Sequence, residues 1–127
     1  QERTNNLGGV SMKIVRVYSG SDGESHFEDV TPEELAEIVN QVGDGDVSLG
    51  IRRSPTFSDY HNAPRLQYVV NLQGTAEFET ADGTKCRMGP GDILIAEDIE
   101  GHGHIARSLG EETRISLAIP LKNKTRH

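Results

Sequence analysis

From Met12 the chain reads KIVRVYSG, an alternation of apolar and polar positions that suits a strand; GSDG then supplies a turn before SHFEDV. The two runs predict an opening hairpin, in which His26 and Glu28 share one side and Phe27 takes the other. The pattern next changes period. TPEELAEIVNQVGDG carries Thr31 as N-cap, Pro32 at the first helical position, Glu34 to complete a capping box, Leu35, Ile38 and Val39 on one face, and Gly43 as a stop. Everything afterwards reads as β: VSLGIRRS, RLQYVVNLQG, TAEFET, TKCRMG, DILIAE, HIARSLG and RISLAIP are short runs punctuated by Asp82-Gly83, Gly89-Pro90-Gly91 and Gly110. No internal repeat, low-complexity segment or interdomain linker interrupts them. The pattern predicts a mainly β chain, a small antiparallel barrel with one short N-terminal helix.

Length narrows the picture to one domain, since 127 residues supply one real core and little more. The polar start QERTNNLGGVS precedes Met12 and is expected to be a leader or disordered extension, residues 1 to 11, with a single domain over 12 to 127. Thirteen basic against 20 acidic side chains give a net charge of −7, which argues against a nucleic-acid partner. The basic tail KNKTRH lacks interleaved aromatics and is expected to fray into solvent. No apolar run has the length of a membrane span or a signal segment, and Cys86, the single cysteine, has no disulfide partner within the chain. Cys86 reads as a half-buried packing residue, and the location expected is cytoplasmic.

Chemistry concentrates in GPGDILIAEDIEGHGH, residues 89 to 104, where a strand end brings Glu97, Asp98, His102 and His104 together. Carboxylates at such a place either fix an imidazole tautomer or begin a turn. A third histidine, His61, opens the approach HNAPR, which leads through Arg65 to Gln67. If the strand has already begun at Arg65, Arg65 and Gln67 share a face, and a guanidinium beside imidazoles suits a carboxylate, phosphate or enolate ligand; otherwise Arg65 is an exposed residue of the approach loop. Arg52 and Arg53 point to opposite faces of their strand, so at most one of them faces inward.

The run RLQYVVNLQGTAEFETADGTKCRMGPGDILIAED resembles the central barrel of the cupin superfamily, over roughly residues 55 to 119. That family carries a motif G-x5-HxH-x3,4-E-x6-G. With its last glycine on Gly74, Gln67 takes the glutamate position, Ala63 the second histidine and His61 the first. In the second motif, G-x5-PxG-x2-H-x3-N, Gly91 starts the strand and Glu97 stands at the proline position. Ungapped counting then puts His102 at the histidine, and a turn two residues longer puts His104 there. The strand end is similar to that of small single-domain cupins whose last histidine points inward, which favours His104.

The resemblance implies a cupin-type jelly-roll barrel with a degenerate metal motif. Cupins usually bind a divalent ion through three histidines and a carboxylate. Here only His61, Gln67 and His104 would serve, so no cofactor is expected, or at most weakly held zinc, nickel or iron. The expected function is metal-independent acid/base catalysis by His61 and His104 on a small polar organic molecule, of isomerase, epimerase, cyclase or lyase type. Arg65, Gln67, Glu97, Asp98 and His102 are the expected substrate contacts. The alternatives are a binding or sensing module without turnover and a metal-dependent cupin oxygenase. The resemblance also implies a homodimer, as in many single-domain cupins, because an exposed strand edge invites symmetric pairing.

Overall fold

The structure, a computed structural model, describes residues 11–126, so the expected leader lies outside the described residues except for Ser11. Strands β1 (Ile14–Ser19) and β2 (Ser25–Asp29) form the expected hairpin, with Val15 opposite Asp29 and Ser19 opposite Ser25. Helix α1 (Pro32–Ile38) follows. Its capping box forms as the sequence predicts: the Glu34 amide donates to Thr31 Oγ1, and the Thr31 amide donates to Glu34 Oε1. The helix ends earlier than the Gly43 stop suggests. Val39 is already the C-cap, and the Asn40 side-chain amide donates back to the Ala36 carbonyl, a local bond that competes with another helical turn.

Eight strands complete the chain: β3 (Ser48–Arg52), β4 (Thr56–His61), β5 (Gln67–Gln73), β6 (Thr75–Glu79), β7 (Lys85–Met88), β8 (Ile93–Glu97), β9 (His104–Leu109) and β10 (Arg114–Pro120). Strand β3 pairs with β10, β4 with β9, β5 with β8 and β6 with β7, all antiparallel. One long hairpin folded at β6 and β7 and then rolled up gives this nesting, which is the jelly roll that the resemblance implies. The rolled hairpin forms two facing sheets, β2-β1-β8-β5-β10-β3 and β4-β9-β6-β7. Strand β1 lies parallel to β8 and covers what would otherwise be its free edge. Strand β4 is not among the expected strands. Thr56, Phe57 and Tyr60 are β-formers, but Ser54, Pro55, Ser58 and Asp59 interrupt them, and pairing with β9 extends the strand.

Two apolar clusters hold the sheets in place. Between them, Val15, Val17, Ala76, Phe78, Met88, Leu94 and Ala96 pack on one side of the interior. On the outer face of the longer sheet, Ile14, Val30, Ile93, Ile95 and Leu121 receive Ile38 of α1. Burying that one isoleucine contributes about 1.5–3 kcal/mol and anchors the helix. The C-terminal tail does not fray as expected. The Thr125 amide and hydroxyl both donate to Glu97 Oε2 at 2.6 Å, and the Arg126 guanidinium lies 3.9 Å from the centre of the Tyr18 ring. A buried carboxylate needs these donors, and the tail supplies them. No helix among the described residues is long and apolar enough to cross a membrane.

Candidate functional site

Where the core stops, the interior is lined by small side chains and stays open. Strands β3 and β10 turn Ser48, Gly50, Ser116 and Ala118 inward, β9 adds Ala106 and Ser108, and β4 adds Thr56 and Ser58. None of these fills the gap between the sheets, and a cavity of about 230 Å3 remains. Strands β3 and β4 are each the edge of their sheet. Two exposed lining residues, Arg52 and His61, mark the mouth between them. The volume suits a small organic molecule, not a polymer.

His61 and His104 both line this cavity. They are direct partners in the β4–β9 ladder, and their ring centroids are 4.8 Å apart. Strict alternation from Thr56 and Ser58 would turn His61 outward. A register shift between Ser58 and His61 changes the parity and brings the imidazole back to the inner face. His61 Nδ1–H donates to the Asp59 carbonyl at 2.8 Å, which leaves Nε2 as the free acceptor. His104 is only 4% exposed and meets the Phe78 ring edge-on.

Behind His104 stands Asp98, fully buried just beyond the end of β8. Its Oδ2 accepts from His104 Nδ1 at 2.5 Å and from the Ser25 hydroxyl at 2.7 Å. A carboxylate on Nδ1 selects the tautomer with Nε2 unprotonated. Asp98 therefore contacts a histidine, not the cavity. Ser25, which steadies Asp98 from β2, had no signal in the sequence, because only the hairpin's position beside β8 brings it close.

The other expected contacts divide. Gln67 lines the cavity, and its Oε1 accepts from Arg65 Nε at 3.0 Å; Arg65 itself is not a lining residue, because β5 begins only at Gln67 and strand alternation does not yet set its direction. Glu97 does not reach the cavity. Ala96 faces inward, so alternation sends Glu97 to the far side of β8, where it lies 3.6 Å from Arg16 and accepts from Thr125. His102 also stays outside, stacked on Tyr60 at 3.9 Å with its Nδ1 2.8 Å from Glu24. His26 pairs with Asp22, and Glu28 with Arg16, both away from the cavity. Cys86 is half-buried against the core, and burial pushes its thiol up to about 11.

The residues expected to form a metal site do not fit a tightly held divalent ion. Ala63 has no donor, the Gln67 oxygen already accepts from Arg65, and two imidazoles remain. Among the described residues no group of three or more His, Cys, Asp or Glu side chains is placed to hold a metal.

Two cationic contributors complete the lining, one whose direction the sequence left open and one that it did not point to. Arg52, the inward one of the Arg52–Arg53 pair, and Arg114 both line the cavity. They are Cα partners across β3 and β10. Arg114 Nε donates to Asn71 Oδ1 at 3.0 Å, and its guanidinium carbon lies 5.7 Å from the Phe78 centroid. Burial, and then the charge of Arg52, push Arg114 below its ordinary range. A signal existed: S-x-G-x-R in β3 and R-x-S-x-A in β10 are inner faces of small residues that end in arginine.

No family model matches the sequence, and no curated protein matches it. Among solved structures the chain is similar to a cupin superfamily protein from Desulfitobacterium hafniense, with 18% identity over 97% of this chain and 84% of that one, at a TM-score of 0.45. It is also similar to an RmlC-like cupin from Desulfovibrio desulfuricans, with 12% identity over 94% and 98% of the two chains and a TM-score of 0.41. A conserved protein of unknown function from Streptococcus pyogenes matches at 18% identity over 65% and 70%, with a TM-score of 0.43. The jelly roll is defined by this chain's own strand pairings, independently of these likenesses.

Proposed function

We propose that this protein is a metal-independent acid/base enzyme of isomerase, epimerase, cyclase or lyase type, acting on a small polar organic molecule held between its two sheets. The observation that carries the reading is the cross-strand pair His61 and His104, with both rings on the cavity and a buried carboxylate behind one of them. Each Nδ1–H is engaged, so each Nε2 is the acceptor that remains. A neutral Nε2 takes a proton from the substrate, and the imidazolium so formed, or its neighbour once protonated, returns one at a different atom. The pair needs no cofactor for such a step. Gln67 adds a polar contact beside the rings, and Phe78 and Ala106 supply apolar walls.

Replacing the histidines one at a time in an activity or ligand-binding screen tests this reading. His61→Ala is expected to abolish turnover with folding retained, His104→Ala to abolish turnover and also to cost stability because it strips the buried Asp98 of its imidazole, and His102→Ala to change turnover little. Equal damage from His102→Ala contradicts the proposal. Binding without turnover would support the sensing module in its place. One equivalent of metal that survives chelator dialysis would bring the oxygenase reading forward.

A homodimer is part of the same proposal. Leu49 and Ile51, 56% and 65% exposed, stand on the outer face of edge strand β3, where a second copy would cover them. Light scattering that finds a monomer at micromolar concentration removes this claim.

A further inference from the structure

We infer that Arg52 and Arg114 form an anion clamp inside the cavity, and that the molecule bound there carries a carboxylate. The inference rests on the cavity being the ligand site; it does not require the histidines to turn anything over.

Two guanidiniums directly opposite each other on one sheet face repel, and such a pair is destabilising unless something neutralises it. This chain has acids to spare, with 20 against 13 bases, and uses them on other arginines. Arg16 and Arg126 meet Glu28, Arg87 meets Glu77, and Arg107 meets Glu79. Among the described residues no carboxylate meets Arg52 or Arg114. Arg107 is also among the residues lining the cavity, but its guanidinium is already held by Glu77 and Glu79.

Arg114 is also held in place in advance. Asn71 is 2% exposed, and its Nδ2 donates to the Gly74 carbonyl at 2.7 Å while its Oδ1 accepts from Arg114 Nε. That contact fixes the guanidinium through Nε and leaves its two Nη groups, the fork that suits a carboxylate edge-on. Arg52 is the exposed partner at the mouth, where it meets an anion first. Burial, and after it the charge of Arg52, hold Arg114 below its ordinary range, and a bound anion would oppose both effects.

Position gives the clamp its use. Arg114 lies beside Gly74, at the end of β6 where Thr75 pairs with the Leu109 end of β9, while His104 begins β9 at the other end. The two ends of β9 are separated by roughly 16 Å. The Arg114 guanidinium and the His104 ring each stand 5.7 Å from the centre of Phe78, the first over the ring and the second edge-on to it. A ligand held by its carboxylate would extend along Phe78 and Ala106 toward the imidazoles.

Titration calorimetry at low ionic strength tests the clamp, using malonate, succinate and glutarate, the corresponding neutral diamides, and inorganic phosphate as probes. At least one dicarboxylate is expected to bind the wild-type protein, with its diamide at least tenfold weaker. Arg52→Gln and Arg114→Gln should each weaken that dicarboxylate at least tenfold, and His102→Ala, outside the cavity, should leave its binding within threefold of wild type. Because Arg52 is exposed, Arg52→Gln keeps the test open if Arg114→Gln fails to fold. Diamides that bind as well as the acids, in wild type and both arginine variants, would leave the cavity as the ligand site and overturn the clamp. Phosphate that binds more tightly than every carboxylate would overturn the carboxylate assignment. Dicarboxylate binding unchanged in both arginine variants and in His61→Ala would overturn both the clamp and the cavity reading.

Discussion

His61 and His104 face each other across the β4–β9 ladder with ring centroids 4.8 Å apart, yet their surroundings differ sharply. His104 is 4% exposed and bound to a buried carboxylate, whereas His61 is exposed at the mouth and bound only to a backbone carbonyl. This asymmetry suits a pair in which one ring is fixed and the other meets the substrate as it enters.

The pairing depends on Gly103. Its φ is +83°, and a Cβ there would lie 2.1 Å from the His61 carbonyl oxygen. Gly103→Ala is expected to force the two strands apart at the site and to cost clearly more stability than Gly83→Ala. Gly83 shares the positive φ but has nothing within 4 Å, so its substitution should cost only the left-handed penalty of about 1–2 kcal/mol. Urea denaturation of both variants checks this, and equal losses would contradict the close approach.

Asp98→Asn should reverse the His104 tautomer. An amide oxygen left in the Oδ2 position would accept from His104 and Ser25 as before, but would bury an unpaired NH2 at a cost of about 1–3 kcal/mol. The flipped amide avoids that cost by donating to His104 Nδ1 and to the Ser25 hydroxyl, which puts the ring proton on Nε2. Nitrogen chemical shifts of the His104 ring distinguish the two forms. A ring proton that stays on Nδ1 in the variant would contradict the argument.

Cys86 should be a slow nucleophile, because burial raises its thiol from 9.0 to about 11. At pH 8, alkylation of the folded protein by iodoacetamide is expected to be on the order of 10²-fold slower than in denaturant. The sign of the linkage follows. The unfolded chain gives up this proton first, so the contribution to stability is intact below about pH 8.5 and is lost as pH rises toward about 11. Equal alkylation rates in the two states would contradict the burial.

Local chemistry was readable in the sequence, and lateral placement was not. The Thr31–Glu34 capping box and the β6–β7 turn at Asp82-Gly83 depend on neighbours a few residues away, and both formed where the sequence put them. Strand β4 was missed because an edge strand with a register shift carries no clean alternation. That shift also sets the direction of His61, which no counting from Thr56 would find. Glu97 was taken for a site residue because it adjoins Asp98 in sequence; one residue of strand alternation separates their environments. Arg52 and Arg114 lie 62 positions apart, and only the pairing of β3 with β10 makes them neighbours. The tail's bond to Glu97 is equally non-local.

Proton transfer by the histidine pair is tested most directly by deuterium entry into small carboxylic acids with an acidic C–H, such as 2-oxo acids and substituted malonates, followed in D2O by proton NMR. The wild-type protein is predicted to accelerate exchange in at least one such acid above the uncatalysed rate. His61→Ala and His104→Ala should each lower that acceleration by roughly 10²-fold or more, with His102→Ala near wild type. No acceleration by the wild-type protein across the panel, or an acceleration that survives His104→Ala, would contradict the account.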